Sequence, residues 1–355
     1  MKIELKTPTV DSEIYLGESV IGEHLPRLLN GQKHFVLTDS NVYALHRNFF
    51  DRYFLGQEIF VLPAGEEQKN FSSLQSILEK MVGACLKRTS KLFAVGGGVV
   101  GDVGGLCAAL YMRGIEYVQI PTTLLAMVDS SVGGKTAVDL GGVKNIIGAF
   151  HQPKTVLIDP TFLSTLPERE WKCGIGEIVK YAALDTFVFD ALEGCGGAVS
   201  KALALELIEP CIRLKAGVVA RDEKESGERK CLNVGHTTAH AIELTYGLSH
   251  GESVLWGMKL ETMLAIQYGV CRRSHGERIL AMVERALSIE PRIGIDFSII
   301  GEAVKKAALD KKNTDGEKVV MAVAEDYGKW TLFSLPFVEY VKGVSALAEE
   351  MGVCV

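Results

Sequence analysis

Short apolar runs alternate with amphipathic segments through the first 160 residues. The apolar runs at residues 34–38, 58–62, 91–95 and 117–120 end at turn-forming residues such as Gly65 and Pro121, and they predict strands. Residues 71–82 have apolar positions at helical spacing, and residues 103–112 are small and apolar, so both segments are predicted helices. This alternation predicts a mostly parallel sheet with helices on both faces.

The pattern changes after Pro167. From residue 168 to about residue 287, apolar positions recur at helical spacing, with few β-branched runs and few prolines. The chain has 355 residues, which is enough for two domains. We therefore predict an α/β domain over residues 1–160 and a mainly helical domain over residues 161–355.

Composition narrows the class of protein. A net charge of −6 argues against a dedicated nucleic-acid binder, which usually carries a basic patch. The eight cysteines form no CxxC pair, which makes a thiolate zinc knuckle unexpected. The N-terminus has no apolar signal core, and no apolar run is long enough to span a bilayer. These features predict a cytoplasmic protein with reduced thiols and no membrane partner.

A glycine-rich turn follows the predicted strand at residues 91–95. Gly96, Gly98 and Gly101 fit the G-x-G-x-x-G pattern, which lets backbone N–H groups approach a pyrophosphate at a helix N-terminus. The usual acidic ribose ligand is missing after the next strand, but Asp39 could supply it. The alternative is a tight strand–helix packing turn, which leaves Asp102 unexplained.

Two further glycine-rich segments carry lysines. Lys135 follows Gly133-Gly134, and Lys144-Asn145 follows another glycine pair. The first segment is not a Walker A loop, because Asp129 stands where the first glycine belongs. Lysines on such loops favour contacts to phosphate or carboxylate, whereas the alternative is two solvated surface lysines.

Candidate metal ligands lie in the second half of the chain. Glu177 and Lys180 are three residues apart and share a helical face, and His236 and His240 are four apart. His250 follows shortly after. Two imidazoles and a carboxylate are typical of catalytic zinc sites. Spacing alone leaves the three histidines as competitors, and core histidines satisfied by hydrogen bonds are the alternative.

The strings GGGVVGDVGG, QIPTTLLAMVDSSVGGKTAV, KNIIGAFHQP, GIGEIVKYA, LNVGHTTAHAIE and LSHGESVLWGM resemble the 3-dehydroquinate synthase family, in order from about residue 39 to residue 312. The resemblance implies an α/β, Rossmann-like nucleotide-binding N-terminal domain and a mainly α-helical, metal-binding C-terminal domain, with the active site in the cleft between them. It also implies a homodimer. The implied metal ligands are Glu177, His236 and His250, with Zn²⁺ or Co²⁺ as the metal, and His240 becomes a substrate-side residue.

The resemblance carries over two further sets of residues. The implied NAD contacts are Asp39, Gly65, Glu66, Lys69, Gly98, Val99, Val100, Gly101, Asp102, Thr122, Thr123, Lys135, Lys144, Phe162, Leu163, Ser164 and Thr165. The implied catalytic and substrate residues are Arg113, Asp129, Lys135, Asn145, Lys180, Lys215, Arg229, Asn233, His240 and Lys312, with Arg229 reaching in from the neighbouring subunit.

The implied reaction converts 3-deoxy-D-arabino-heptulosonate 7-phosphate to 3-dehydroquinate and phosphate, in the shikimate pathway of aromatic amino acid biosynthesis. It proceeds by transient NAD oxidation, phosphate β-elimination, re-reduction, ring opening and aldol cyclisation. The alternatives are another sugar-phosphate cyclase or a glycerol-type NAD-dependent dehydrogenase of the same superfamily. A non-catalytic sugar-phosphate sensor is disfavoured, because sensing does not require an intact metal triad with Lys180.

Overall fold

The computed structural model describes residues 1–197, 199–288 and 318–350. These residues form two compact units. The first comprises Met1–Glu170 and Ile212–Glu225, and the second comprises the described residues of Trp171–Cys211 and Ser226–Val355. The division differs from a single boundary at residue 160, because helix α8 (Lys201–Arg221) begins in the second unit and ends in the first.

The first unit is built on a sheet of seven described strands in the order β1-β2-β9-β6-β5-β3-β4. All neighbouring pairs are parallel except β1 with β2. The strands are β1 (Lys2–Lys6), β2 (Asp11–Leu16), β3 (Phe35–Asp39), β4 (Glu58–Leu62), β5 (Leu92–Gly96), β6 (Tyr117–Pro121) and β9 (Thr155–Ile158). The predicted parallel sheet and its four predicted strands are therefore confirmed, within one residue at either end.

Five helices of the first unit connect these strands: α1 (Val20–Leu29), α2 (Ser40–Leu45), α3 (Arg47–Tyr53), α4 (Phe71–Gly83) and α5 (Gly98–Leu110). Helix α4 begins where the Asn70 side chain accepts a hydrogen bond from the Ser73 N–H, and it buries Leu74, Ile77 and Met81 on one face. Helix α5 begins five residues before the predicted start, directly after the glycine-rich turn.

Strands β7 (Lys135–Leu140) and β8 (Val143–Phe150) form an antiparallel hairpin separate from the main sheet. The glycines Gly141 and Gly142 at its tip have φ of 62° and 77°, values that favour glycine in a two-residue turn. The sequence pattern pointed to loops here, because a glycine-rich segment with two lysines has little strand character. The hairpin places Lys135 and Lys144 on paired strands.

The second unit is mainly helical, as predicted. Its helices are α6 (Glu168–Ala182), α7 (Thr186–Gly194), the first part of α8, α9 (His236–Tyr246), α10 (His250–Gln267), α11 (Arg273–Ser288) and α12 (Phe337–Glu350). A two-stranded antiparallel sheet of β10 (Lys318–Asp326) and β11 (Lys329–Pro336) packs its buried side chains into the same core as α9, α10 and α12. None of the described helices combines the length and hydropathy of a membrane span.

Candidate active site

Glu177, His236 and His250 bring one carboxylate and two imidazoles together in the second unit. Glu177 lies in α6, and the two histidines are the first residues of α9 and α10. Nε2 of His250 lies 3.1 Å from Oε1 of Glu177, and Nε2 of His236 lies 3.6 Å from the same atom. Ligand atoms bonded tetrahedrally to zinc are about 3.4 Å apart. The three side chains therefore fit a single divalent metal ion.

His240 lies one turn further along α9. Its ring centroid is 5.9 Å from that of His236. Among the described residues, the candidate ligand atoms within 4.8 Å of one another are those of Glu177, His236 and His250. The geometry thus favours the ligand set that the resemblance implied over an H-x-x-x-H pair.

Both candidate ligand histidines turn Nε2 towards Glu177. Nδ1 of His236 lies 3.1 Å from the carbonyl oxygen of Val234, which can accept its proton. Burial lowers the pKa of His236 well below its usual value, and Glu177 opposes this shift only in part. Burial acts the same way on His250, but hydrogen bonds with Glu177 and Glu243 raise its pKa to about 10. A metal binds the neutral imidazole, so an ion at this site would displace the proton from Nε2 of His250.

Lys180 completes this cluster. Its side chain is 2% exposed and forms an ion pair with Oε2 of Glu177, which is itself 1% exposed. The ammonium also lies 4.6 Å from the ring centroid of Tyr181. Lys180 therefore holds one carboxylate oxygen of Glu177 while the other faces the histidines. The predicted shared face of Glu177 and Lys180 is confirmed.

Glycines allow the helices that carry these ligands to approach closely. A Cβ on Gly176 would overlap the backbone of Gly251, and a Cβ on Gly251 would overlap the backbone of Cys173. At the other end of the site, a Cβ on Gly257 would overlap the carbonyl oxygen of Gly235. These contacts bring α6 and α9 against α10, so Glu177 and His236 can meet His250.

A buried carboxylate caps the helix that begins with His236. The N-cap residue of α9 is Gly235, which has no side chain to accept hydrogen bonds. Glu261 of α10 takes this part: its carboxylate accepts from the N–H of Gly235 at 3.1 Å and from the N–H of Thr238 at 2.7 Å. Glu261 therefore fixes the N-terminus of α9, and with it the backbone of His236.

The predicted NAD residues gather on one edge of the first unit's sheet. Asp39 ends β3, Gly98 follows β5, and Thr122 follows β6. Gly65 and Phe162 follow β4 and β9, so all five lie at the carboxyl ends of parallel strands. The chain runs outward from β3 to β4 and returns to β5 on the other side of β3. Ligands of open α/β sheets bind where the strand order reverses in this way.

The geometry of the glycine-rich turn is compatible with both alternatives that the sequence left open. Helix α5 begins at Gly98, directly after β5, so its first N–H groups point towards the carboxyl edge of the sheet. Gly101 and Gly104 allow close packing of α5 on the sheet. A Cβ on Gly101 would lie 2.9 Å from Oε1 of Gln119, and a Cβ on Gly104 would lie 3.1 Å from Cβ of Ala94. The turn therefore combines an anion-binding geometry with close helix–strand packing.

Asp102 forms an ion pair with Lys69, with 2.5 Å between Oδ2 and Nζ. Lys69 is 7% exposed, and burial would lower its pKa, but Asp102 and other nearby acidic groups raise it. The Lys69 carbonyl also accepts a hydrogen bond from the N–H of Asp139 in β7. Asp102 therefore has a structural partner, Lys69, and both residues belong to the implied NAD set.

Asp39 also has a structural partner. Its Oδ1 accepts hydrogen bonds from the N–H groups of Asn41 and Val42, so it is the N-cap of α2. Close to this edge, a cavity of about 530 Å³ is lined in part by His46, Phe162, Ser164 and Thr165. This volume falls within the range of small-molecule sites.

Two predicted substrate lysines pair with carboxylates. Nζ of Lys215 lies 2.8 Å from Oδ2 of Asp129, and Nζ of Lys135 lies 2.5 Å from Oε2 of Glu225. Lys215 also donates to the Asp129 carbonyl at 2.6 Å. The lysines are therefore held in place by acidic neighbours, and an anion approaching them meets carboxylates as well as ammonium groups.

Arg113 and Asn145 have left-handed backbone conformations, with φ of 66° and 54°. Such a conformation costs about 1–2 kcal/mol for a residue such as Arg113, whereas asparagine tolerates it. Strained backbone that persists in a fold is a mark of functional sites. Glu225, the partner of Lys135, shares the feature with φ of 60°.

Three predicted substrate residues remain, namely Arg229, Asn233 and Lys312. Arg229 and Asn233 belong to the 3₁₀ helix Glu228–Asn233. Arg229 is 1% exposed within a single chain. Its side chain would have to move out of the interior of the chain to contact a neighbouring subunit. Its contribution to a neighbouring subunit's site therefore stays a prediction. Lys312 lies outside the described residues.

Sequence reasoning missed three carboxylates of these clusters: Glu225, Glu243 and Glu261. Glu225 lies in the polar stretch at residues 221–230, where a solvent-exposed loop carboxylate would look the same. Glu243 and Glu261 occupy helical positions where an isolated glutamate usually faces solvent. Glu261 follows Lys259-Leu260, so its neighbours in the sequence do not mark it as buried.

Comparison with known proteins agrees with this arrangement. Residues 59–173 match the 3-dehydroquinate synthase N-terminal family and residues 174–313 match the 3-dehydroquinate synthase C-terminal family. A 3-dehydroquinate synthase of Rhodospirillum rubrum is 40% identical over 339 residues, covering 90% of this chain and 88% of that protein.

Solved structures share the fold. A 2-deoxy-scyllo-inosose synthase complexed with carbaglucose-6-phosphate, NAD⁺ and Co²⁺ superposes with a TM-score of 0.83 at 24% identity, covering 98% of this chain and 99% of that one. The 2-epi-5-epi-valiolone synthase of Streptomyces hygroscopicus, with NAD⁺ and Zn²⁺ bound, gives 0.80 at 26% identity and covers 98% of both chains. The predicted fold class and the resemblance are confirmed: the chain belongs to the 3-dehydroquinate synthase family.

Proposed function

We propose that this chain converts 3-deoxy-D-arabino-heptulosonate 7-phosphate to 3-dehydroquinate and phosphate, with NAD and Zn²⁺ or Co²⁺ as cofactors. The observation that carries the proposal is the cluster of Glu177, His236 and His250, with Lys180 against it, in a chain of this family. When bound, NAD⁺ supplies a reversible hydride acceptor and the metal supplies a Lewis acid for the substrate's hydroxyl groups.

In this proposal the first unit binds NAD. The supporting geometry is the gathering of Asp39, Gly98, Thr122 and Phe162 at the carboxyl ends of parallel strands, beside the strand-order reversal. The N-terminus of α5 would hold the pyrophosphate, because its first N–H groups have no partner within the helix. The domain assignment, with residues 1–160 for NAD and residues 161–355 for metal and substrate, is part of the same proposal.

The lysines and Arg113 would bind the substrate's phosphate and carboxylate. Lys135 and Lys215 are held by Glu225 and Asp129, so their ammonium groups occupy defined positions before substrate binds. Groups that are already oriented need not be reorganised during the reaction. They can therefore stabilise the charge that develops in the transition state. The carboxylates Asp129 and Glu225 would also be able to accept protons.

Lys180 and His240 would act on the metal side. Lys180 neutralises Glu177 and orients its carboxylate. His240 follows His236 by one turn, with its ring 5.9 Å away, so it can reach a substrate held at the metal without being a ligand. Asn233, Arg229 and Lys312 complete the proposed substrate set. A homodimer and a cytoplasmic location belong to the proposal as well, on the strength of the resemblance and the sequence.

The test is a phosphate-release assay. Purified protein with NAD⁺, Zn²⁺ and the heptulosonate phosphate should release inorganic phosphate without net NADH, because each turnover restores the hydride. Steady accumulation of NADH would indicate a dehydrogenase instead. Phosphate release from this substrate with a cyclic product other than 3-dehydroquinate would indicate a different sugar-phosphate cyclase.

A further inference from the structure

Glu243 contacts the second nitrogen of a candidate metal ligand. Its Oε2 lies 3.3 Å from Nδ1 of His250, while Nε2 of the same ring lies 3.1 Å from Oε1 of Glu177. The Glu243 side chain is only 10% exposed, so solvent competes little for this contact. His250 is therefore held between two carboxylates, one at each ring nitrogen.

The two nitrogens of an imidazole cannot both serve a metal. In the neutral ring one nitrogen carries the proton and the other carries the lone pair, and the hydrogen bond at the first decides which is which. A carboxylate at Nδ1 stabilises the proton there and leaves the Nε2 lone pair for the metal. It also fixes the rotation of the ring and makes Nε2 a stronger donor.

The two candidate ligand histidines differ in this partner. Nδ1 of His236 faces the carbonyl oxygen of Val234, which lies two residues before it. Nδ1 of His250 instead faces a side chain on a different helix. His250 is the first residue of α10, and it is 32% exposed against 12% for His236. The more exposed ring is thus the one with a carboxylate partner.

We propose that Glu243 is a positioning residue for the metal site: it holds the Nδ1–H of His250 and directs Nε2 at the ion. This inference rests on the proposed function, since it requires that Glu177, His236 and His250 bind a divalent metal. Glu243 follows His236 by two turns of α9, so one helix supplies both a ligand and the group that orients another. Helix α9 therefore controls two of the three ligands.

Co²⁺ binding to the metal-free protein tests this role. The protein is stripped with a chelator and titrated with Co²⁺ alone, while the visible absorption of the tetrahedral ion is followed. Glu243→Leu should weaken binding by about 10–100-fold and change the absorption band, as loss of such a partner does elsewhere. Glu243→Gln should lose less, because its amide oxygen can still accept the Nδ1 proton. Glu277→Gln, at an exposed carboxylate of α11, should match the parent.

A second measurement uses the parent protein, so it does not depend on how a variant folds. In ¹⁵N-histidine spectra of the zinc-loaded parent, His250 should show a protonated Nδ1 and a metal-bound Nε2. Metal binding through Nδ1 would overturn the proposal, as would parent-like Co²⁺ affinity and absorption in a folded Glu243→Leu variant. Either of these two results would contradict the role of Glu243 but not the metal site itself. A parent that binds no Co²⁺, or binds it equally well after His250→Ala, overturns the metal site and this inference together.

Discussion

Gly176 of α6 and Gly251 of α10 lie backbone against backbone, with no room for a Cβ on either. Each glycine is the immediate neighbour of a candidate metal ligand, Glu177 in one case and His250 in the other. The separation of the two helices at this point therefore sets the separation of the two ligands. A methyl group here would act on the metal site through packing alone.

Gly176→Ala should consequently weaken both fold and metal binding. Overpacking a close helix contact costs about 1–3 kcal/mol, and the shift would move Glu177 away from His250. Thermal unfolding and Zn²⁺ affinity measured together would show the two losses. Gly194→Ala at the end of α7 is the matched control, because nothing lies within 4 Å of a Cβ there. Equal metal affinity in both variants would contradict the argument.

Metal removal should lower stability, and the ligand set decides how single variants respond. An ion that binds only the folded state adds about 4 kcal/mol at a concentration 1,000 times its Kd. Zn²⁺ should thus raise the Tm of the stripped parent and of His240→Ala, but not of His250→Ala. The ligand assignment fails if the His250 variant keeps the zinc-dependent shift and the His240 variant loses it.

Glu261→Leu should destabilise the second unit. The change leaves the N–H groups of Gly235 and Thr238 without their buried acceptor. Leaving buried donors without their acceptor costs about 1–3 kcal/mol. Urea unfolding of the parent, Glu261→Leu and the exposed control Glu277→Gln would measure it. A parent-like midpoint in Glu261→Leu would show that water caps α9 equally well.

Arg113→Gly should separate stability from activity. Glycine relieves the left-handed strain, so the free energy of unfolding should stay level or rise by up to about 1 kcal/mol. Loss of the guanidinium should lower activity by about 100-fold or more, if Arg113 binds the substrate's anionic groups. Met112→Gly is the matched control, since Met112 has φ of 49° in the same turn but carries no charge. Equal activity losses in the two variants would assign the effect to the turn.

His275 should make stability depend on pH. Its ring is 1% exposed, stacks on Phe189 with centroids 5.1 Å apart, and neither ring nitrogen has a hydrogen-bond partner among the described residues. Burial lowers its pKa below the unfolded value of about 6.5, with Asp326 opposing and Arg278 reinforcing the shift. The unfolded state therefore binds more protons than the folded state once the pH falls below about 6.5. Stability is complete above this pH and decreases on acidification.

His275→Phe should remove this dependence while keeping the stacked ring. The Tm of parent and variant, measured from pH 7 down to pH 5, should diverge in favour of the variant as the pH falls. Parallel curves would mean that the buried imidazole takes up its proton without cost.

The sequence by itself determined the local elements and the chemical types of the site. Strand and helix periodicity is set by neighbouring residues, so β4 and α4 could be predicted nearly to the residue. The spacing of Glu177 and Lys180 likewise gave a shared helix face, which needs only the helical repeat. The family resemblance then selected among three histidines that spacing had left equal.

Tertiary structure alone decided which groups meet. Glu177 and His250 are separated by 73 residues, and their contact depends on the glycine packing of α6 against α10. The partners Glu243, Glu261 and Glu225 have no local signature, because a glutamate at a helical or polar position looks the same whether it faces solvent or a buried N–H. The sequence likewise gives no sign that Ile212–Glu225 belong to the first unit. These features arise from long-range packing, whose free energy belongs to the assembled fold and not to any segment of the sequence.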